Sequence, residues 1–170
     1  MEKVDDITII LGKERDSNTY VIGDMLIDPG TGLNNKYLID SIEESGISMN
    51  DITKIVNTHC HFDHMGADKY LQDKYGYDIY MHPLDLETVK NKDENVTVAS
   101  SFGMKVPDLD IKPLNEHDMV NGYEVLHTPG HTRGGICLCN GKSLISGDTL
   151  FSGGNFGRTD LPTGSMDDMR

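Results

Sequence analysis

The sequence predicts an α/β fold in which two β-sheets pack face to face with helices outside, a sandwich of four layers. Two observations carry this expectation. The first half of the chain alternates short apolar, strand-like runs with segments of helical period. The second half carries strand-like runs joined at Asn-Gly dipeptides.

Residues 7–11 and 19–22 read as strands joined through a polar turn, and 25–28 as a third strand ended by the turn dipeptide Pro29-Gly30. Residues 34–45 predict a helix, with Leu38, Ile39 and Ile42 on one face and Gly46 at its C-terminal stop. Residues 52–58 form an apolar strand. A short helix spans 67–75 and is closed by Gly76, 77–81 is another strand, and Pro83 opens a helix to about residue 89. Residues 91–110 are polar and mixed, and no element is placed there. Beyond them, 123–128, 135–139 and 142–146 read as strands, with Asn121-Gly122 and Asn140-Gly141 where two-residue hairpins place such pairs.

At 170 residues the chain is expected to form one domain, long enough to bury roughly 70% of the surface of its unfolded form. A formal net charge of −13 with no Lys/Arg cluster excludes a nucleic-acid partner. No apolar run approaches the ~20 residues of a membrane span, and the acidic start Met1-Glu-Lys-Val-Asp-Asp6 lacks the basic-then-apolar layout of a signal peptide. A cytoplasmic protein is therefore expected. Of the three cysteines, Cys137 and Cys139 share a strand face and read as small buried groups in a reducing compartment.

The densest chemistry is His59-Cys60-His61-Phe62-Asp63-His64, directly after the 52–58 strand. Strand alternation turns His59 and His61 to one side and Cys60 to the other. Three imidazoles and a carboxylate crowded together repel or desolvate one another unless a cation holds them. Neutral imidazole and carboxylate are ligands of zinc, iron and manganese, so one or two divalent ions are expected, zinc first among them. Two further segments, Thr128-Pro-Gly-His131-Thr132 and Ser146-Gly-Asp148-Thr149, each place a ligand type just past a strand end, where a rigid scaffold holds functional loops.

With THCHFDH at 58–64, HTPGHT at 127–132, GDTLF at 147–151, GRTDLP at 157–162 and LIDPG at 26–30, the chain resembles the metallo-β-lactamase superfamily. Within it the chain is most similar to the hydroxyacylglutathione hydrolase (glyoxalase II) branch. The resemblance implies a four-layer αββα sandwich of the metallo-β-lactamase type. It also implies one ion on His59, His61 and His131, a second on Asp63 and His64, and Asp148 bridging them. The implied reaction is attack by a metal-bound hydroxide, oriented by Asp63, on a small-molecule thioester or related ester. One departure stands out. The family pattern ends with a further histidine in a Pro-Gly-His-Gly-like turn, and no histidine follows Asp148 here. Residues 165–170 read as a helix N-cap and first turn, so the domain is expected to lack its last helix–strand segment and to leave a sheet edge and apolar surface uncovered.

Arg158 has two readings, a guanidinium that grips a substrate carboxylate or a surface arginine paired with Asp160. Arg133, beside the His131 turn, is a further substrate candidate. Asp28 and His127 either orient ligand imidazoles or serve turn capping and strand packing. His82 and His117 read as ordinary surface or strand-end histidines. The Gly153–Gly157 stretch opens no helix and has no following Lys-Ser/Thr, which excludes a phosphate loop. Two other functions stay open. One is a persulfide dioxygenase with a single iron on His59, His131 and Asp148. The other is a non-catalytic or partner-completed module, should the chain end naturally at Arg170. Oligomeric state is open.

Overall fold

The computed structural model describes residues 2–170. Seven strands, β1 (Glu2–Val4), β2 (Ile7–Ile10), β3 (Thr19–Ile22), β4 (Met25–Ile27), β5 (Lys54–Val56), β6 (Asp78–Met81) and β7 (Ile111–Pro113), lie side by side in chain order. The first four pair antiparallel through short turns. From β4 to β7 the pairing is parallel, so each connection must cross over the sheet. Those crossovers carry α1 (Asn35–Glu44), then α2 (Phe62–Met65) with α3 (Asp68–Tyr75), then α4 (Pro83–Lys90). A second, antiparallel sheet contains β8 (Met119–Val120), β9 (Tyr123–His127), β10 (Ile136–Cys139) and β11 (Leu144–Ile145), in the order β11-β10-β9-β8.

The two-residue period of the strands sorts side chains into two cores. On β4, Leu26 faces the helices and joins Val21, Ile55, Ile79, Leu38 and Ile42. Its neighbours Met25 and Ile27 face the second sheet and join Ile22, Val56, Tyr123, Val125 and Leu138. Both faces of the first sheet are thus covered, which is why its central strands are continuously apolar rather than alternating. Buried apolar residues of α1 to α4 all belong to the core outside the first sheet. Among the described residues no helix covers the outer side of the second sheet, so three of the four expected layers are present. Leu144, Leu150, Phe151 and Phe156 remain 40–48% exposed.

Three features differ from expectation. β1 is exposed at every residue and is held by pairing with β2 alone, so no apolar pattern marks it. β7 carries Pro113, which is tolerated because β7 is an edge strand. The Asn140-Gly141 hairpin is a four-residue loop, because Cys139 pairs with Leu144 and the Asn140 side chain accepts from the Lys142 and Ser143 backbone N–H groups at 3.0 and 2.8 Å. By contrast, Asn121 and Gly122 both adopt positive φ, 48° and 81°, as a two-residue primed turn requires. No helix among the described residues is long and apolar enough to cross a membrane. The single turn expected at the C-terminus is present. The Ser165 hydroxyl accepts from Asp168 N at 3.2 Å, and Ser165 N donates to Gly130 O at 2.8 Å, which docks the turn against the His131 loop.

Candidate metal centre

Five of the six predicted ligand residues meet where the two sheets abut. β5 ends at Val56, Asn57 and Thr58 continue it, and the chain leaves the sheet through His59-Cys60-His61 into α2. His61 occupies the N-cap position with extended backbone, so the histidine run turns sharply into helix and brings His64 back towards His59. The ring centroids of His59 and His64 lie 4.1 Å apart, and those of His61 and His131 lie 4.5 Å apart. His131 comes from the turn between β9 and β10. The two sheets are joined close by, where Ile136 N donates to Thr58 O at 2.8 Å. Cys60 points the opposite way and is fully buried in the helix-side core, as strand alternation predicts.

Ligand atoms of His59, His61 and His131 lie within 4.8 Å of one another, and so do those of His59, His64 and Asp148. The Asp148 carboxylate spans the cluster, with one oxygen 3.3 Å from His131 Nε2 and the other 3.4 Å from His64 Nε2. Asp63 stands at the edge. Its carboxylate is 3.9 Å from His64 Nε2 and falls in neither group. The turn bearing Asp148 approaches His131 closely because residue 157 has no side chain, since a Cβ at Gly157 would lie 2.4 Å from Asp148 O and 2.7 Å from His131 Nδ1.

Neighbouring groups set the direction of each ring. His131 Nδ1–H donates to the Arg158 carbonyl at 2.7 Å, which leaves the Nε2 lone pair facing the cluster. Asp28, one of two residues read as orienting groups or turn caps, orients His64. Its Oδ2 lies 2.9 Å from His64 Nδ1, and it also accepts from Thr58 N and Thr58 Oγ1 at 2.8 and 2.6 Å. His127 touches no ligand. It stacks on His82 at 4.0 Å and bonds the Arg133 carbonyl through Nε2, so its role is packing. His117 is an exposed strand-end histidine paired with Glu124.

Burial, reinforced by the other histidines, pushes His59 well below the usual histidine range and His61 down to about 3. Both rings therefore present lone pairs at neutral pH. Burial pulls His64 the same way, but the Asp28 and Asp148 carboxylates outweigh it and hold His64 well above its ordinary value. Burial raises Asp63. In Asp148 burial is overcome by the surrounding histidines, and its pKa is lowered.

The donor set fits a metal ion. Nε2 atoms of His59, His61 and His131 are buried and have no hydrogen-bond partner, an arrangement that costs about 1–3 kcal/mol for each unsatisfied group unless something accepts the lone pair. Beside the cluster a cleft of about 430 Å³ opens, lined in part by Tyr20, Asp63, His64, Asp148 and Phe151. Neither candidate substrate arginine reaches it. The Arg158 guanidinium makes two bonds to Asp160, at 2.9 and 2.8 Å, and its contribution to the centre is its carbonyl. Arg133 leans on α4 beside Thr88 and Glu87.

Two buried acids escaped the sequence reading. Asp68 accepts from the Asn57 side chain at 2.6 Å and ties α3 to the end of β5. Asp85, on α4, accepts from the backbone of Cys60 and Gly134 and from the Thr132 hydroxyl. The available signal was a carboxylate inside an otherwise apolar helix run, Leu84-Asp85-Leu86.

A family model described as the metallo-beta-lactamase superfamily matches residues 12–170. The probable metallo-hydrolase MJ0888 of Methanocaldococcus jannaschii is 42% identical over 161 residues, covering 91% of this chain and 76% of that protein. Hydroxyacylglutathione hydrolase GloC of Haemophilus influenzae is 33% identical over 152 residues, covering 84% and 68%. Among solved structures, TTHA1623 in a di-iron-bound form superposes with a TM-score of 0.80 at 30% identity, covering 95% of this chain and 81% of that one. The chain belongs to the metallo-β-lactamase superfamily, and its fold and histidine-rich centre are those of a hydrolase dependent on divalent metal ions.

Proposed function

We propose that this protein hydrolyses a small-molecule thioester or related ester. In this reading His59, His61 and His131 hold one ion, Asp63 and His64 a second, and Asp148 serves both. The observation that carries it is that His59, His61 and His131 cluster with buried Nε2 atoms that have no hydrogen-bond partner, next to a carboxylate that faces His131 with one oxygen and His64 with the other. Divalent ions bound there supply a water of lowered pKa, to about 7, and polarise the carbonyl under attack.

The chain's own residues do the positioning. The Arg158 carbonyl and the Asp28 carboxylate fix the ring orientations of His131 and His64, so neither ring needs to turn on binding, and an ion held by His64 would displace the proton on its Nε2. Asp63, which lines the cleft beside His64 and Asp148, orients the attacking water. The cleft lining includes Asp16, Asp28, Asp63 and Asp148 and no Lys or Arg. A glutathione carboxylate therefore meets no Lys or Arg there, and the reading places selectivity on the ester bond and the apolar rim at Leu150 and Phe151.

The test is turnover of S-lactoylglutathione and of an uncharged acyl thioester, before and after removal of metal by a chelator. Metal-dependent hydrolysis, at least as fast on the uncharged thioester, is expected. Hydrolysis of neither, or hydrolysis that survives complete metal removal, contradicts the reading. The second reading, a one-iron persulfide dioxygenase, is favoured by one observation: Asp63 falls outside both ligand groups. Oxygen uptake with glutathione persulfide and one iron per chain would select it.

A further inference from the structure

We infer that Asp85 is a positioning residue for the metal centre, a buried carboxylate on α4 that locks the His59–His61 loop and the His131 loop into one register. The inference rests on the reading of those three histidines as ligands. Asp85 is fully buried, yet it caps nothing in its own helix. Instead its Oδ2 accepts from Cys60 N at 2.9 Å and from Thr132 Oγ1 at 2.7 Å, while Oδ1 accepts from Gly134 N at 2.8 Å.

Cys60 lies between two ligands and Thr132 follows the third, so a single side chain grips the backbone on both sides of the cluster. Three donors on two oxygens require a carboxylate, since an amide has one acceptor and would turn an NH₂ group onto a donor. The loop is shaped for this contact. A Cβ at Gly134 would sit 2.6 Å from Asp85 Cγ, so only glycine lets the 131–135 turn close over the acid. Burial raises the pKa of Asp85, and the bonds from Thr132, Cys60 and Gly134 oppose that rise. The hydrogen bonds of Asp85 go to Cys60, Thr132 and Gly134 rather than to a histidine ring, and Asp85 does not line the cleft. Its effect on the centre passes through the two loops.

The experiment compares Asp85→Asn with Val89→Ala, a core truncation on the same helix, in the full chain. Metal affinity is measured by chelator competition with Co²⁺ and Zn²⁺, ligand geometry by the Co²⁺ absorption spectrum, and stability by urea denaturation of the metal-free proteins. Asp85→Asn is expected to weaken metal binding about 10- to 100-fold and to change the Co²⁺ spectrum. Val89→Ala, destabilised but with both loops held, should keep the parent affinity and spectrum. Parent-like affinity in Asp85→Asn overturns the inference, and so does equal weakening in Val89→Ala, which would make metal binding a mere readout of stability. Should Asp85→Asn fail to fold, Thr132→Val removes one of the three bonds at nearly constant volume. Several-fold weaker binding supports the inference and unchanged binding overturns it. A parent protein that binds neither metal refutes the ligand reading itself, a separable result.

Discussion

Replacing Asp28 with asparagine isolates the chemistry of one buried acceptor. Asp28 adopts φ 52°, in the left-handed region, where asparagine and aspartate are both tolerated, so the substitution leaves the backbone preference intact. Its two oxygens meet three groups, Thr58 N at 2.8 Å, Thr58 Oγ1 at 2.6 Å and His64 Nδ1 at 2.9 Å. An asparagine that keeps its oxygen on the hydroxyl and the imidazole leaves the Thr58 N–H facing an NH₂ group. The opposite flip strands the other two. Either way at least one buried donor loses its acceptor, at a cost of about 1–3 kcal/mol. His64 also loses the nearer of the carboxylates that hold its proton. The expected result is a loss of about 2 kcal/mol in the unfolding free energy of the metal-free protein, with metal affinity weakened by about one to two orders of magnitude. Urea denaturation and chelator competition read the two effects. Stability within about 0.5 kcal/mol of the parent, together with unchanged metal affinity, would refute the reasoning.

Gly157→Ala drives a methyl group to 2.4 Å from Asp148 O and 2.7 Å from His131 Nδ1, so it should displace the Asp148 turn and weaken metal binding. An alanine variant with the parent affinity would show that the close approach is unimportant. His82, pushed down to about 4 by burial and by His127 stacked against it, supplies a pH test away from the centre. Between its unfolded value of about 6.5 and about 4, the unfolded chain binds the extra proton. This contribution is therefore complete above that window and is lost as pH falls through it, with a slope of up to about 1.4 kcal/mol per pH unit. His82→Gln should flatten the acid limb of the stability curve, and the His82 ring signals of the parent should titrate near 4 by NMR. Titration at the ordinary histidine value would contradict the assignment.

Much of this organisation is legible in the sequence because local rules carry it. The alternation in Ile7–Ile10 and Thr19–Ile22, the apolar stripe of α1 and the Asn121-Gly122 turn each state their own conformation. The His59–His64 run and His131 follow strands, and the strand ends bring their side chains into one cluster. What stayed hidden depends on partners distant in sequence. β1 has no buried face and exists through its register with β2. The division of labour between Asp28 and His127 depends on which one lies opposite His64. Arg158 keeps two readings in the sequence, and the structure decides between them: its guanidinium finds Asp160 two residues on, while its backbone carbonyl meets the centre. Asp85 reads as an unremarkable helix residue until the Cys60 and Gly134 loops, 25 and 49 positions away, close upon it.

The most direct test is anomalous diffraction from crystals of the full chain grown with zinc. The strongest peak should lie at bonding distance, about 2.0–2.1 Å, from one nitrogen each of His59, His61 and His131, with Asp148 facing it. Zinc bound at any other place, with those three rings left free of metal, would contradict the account.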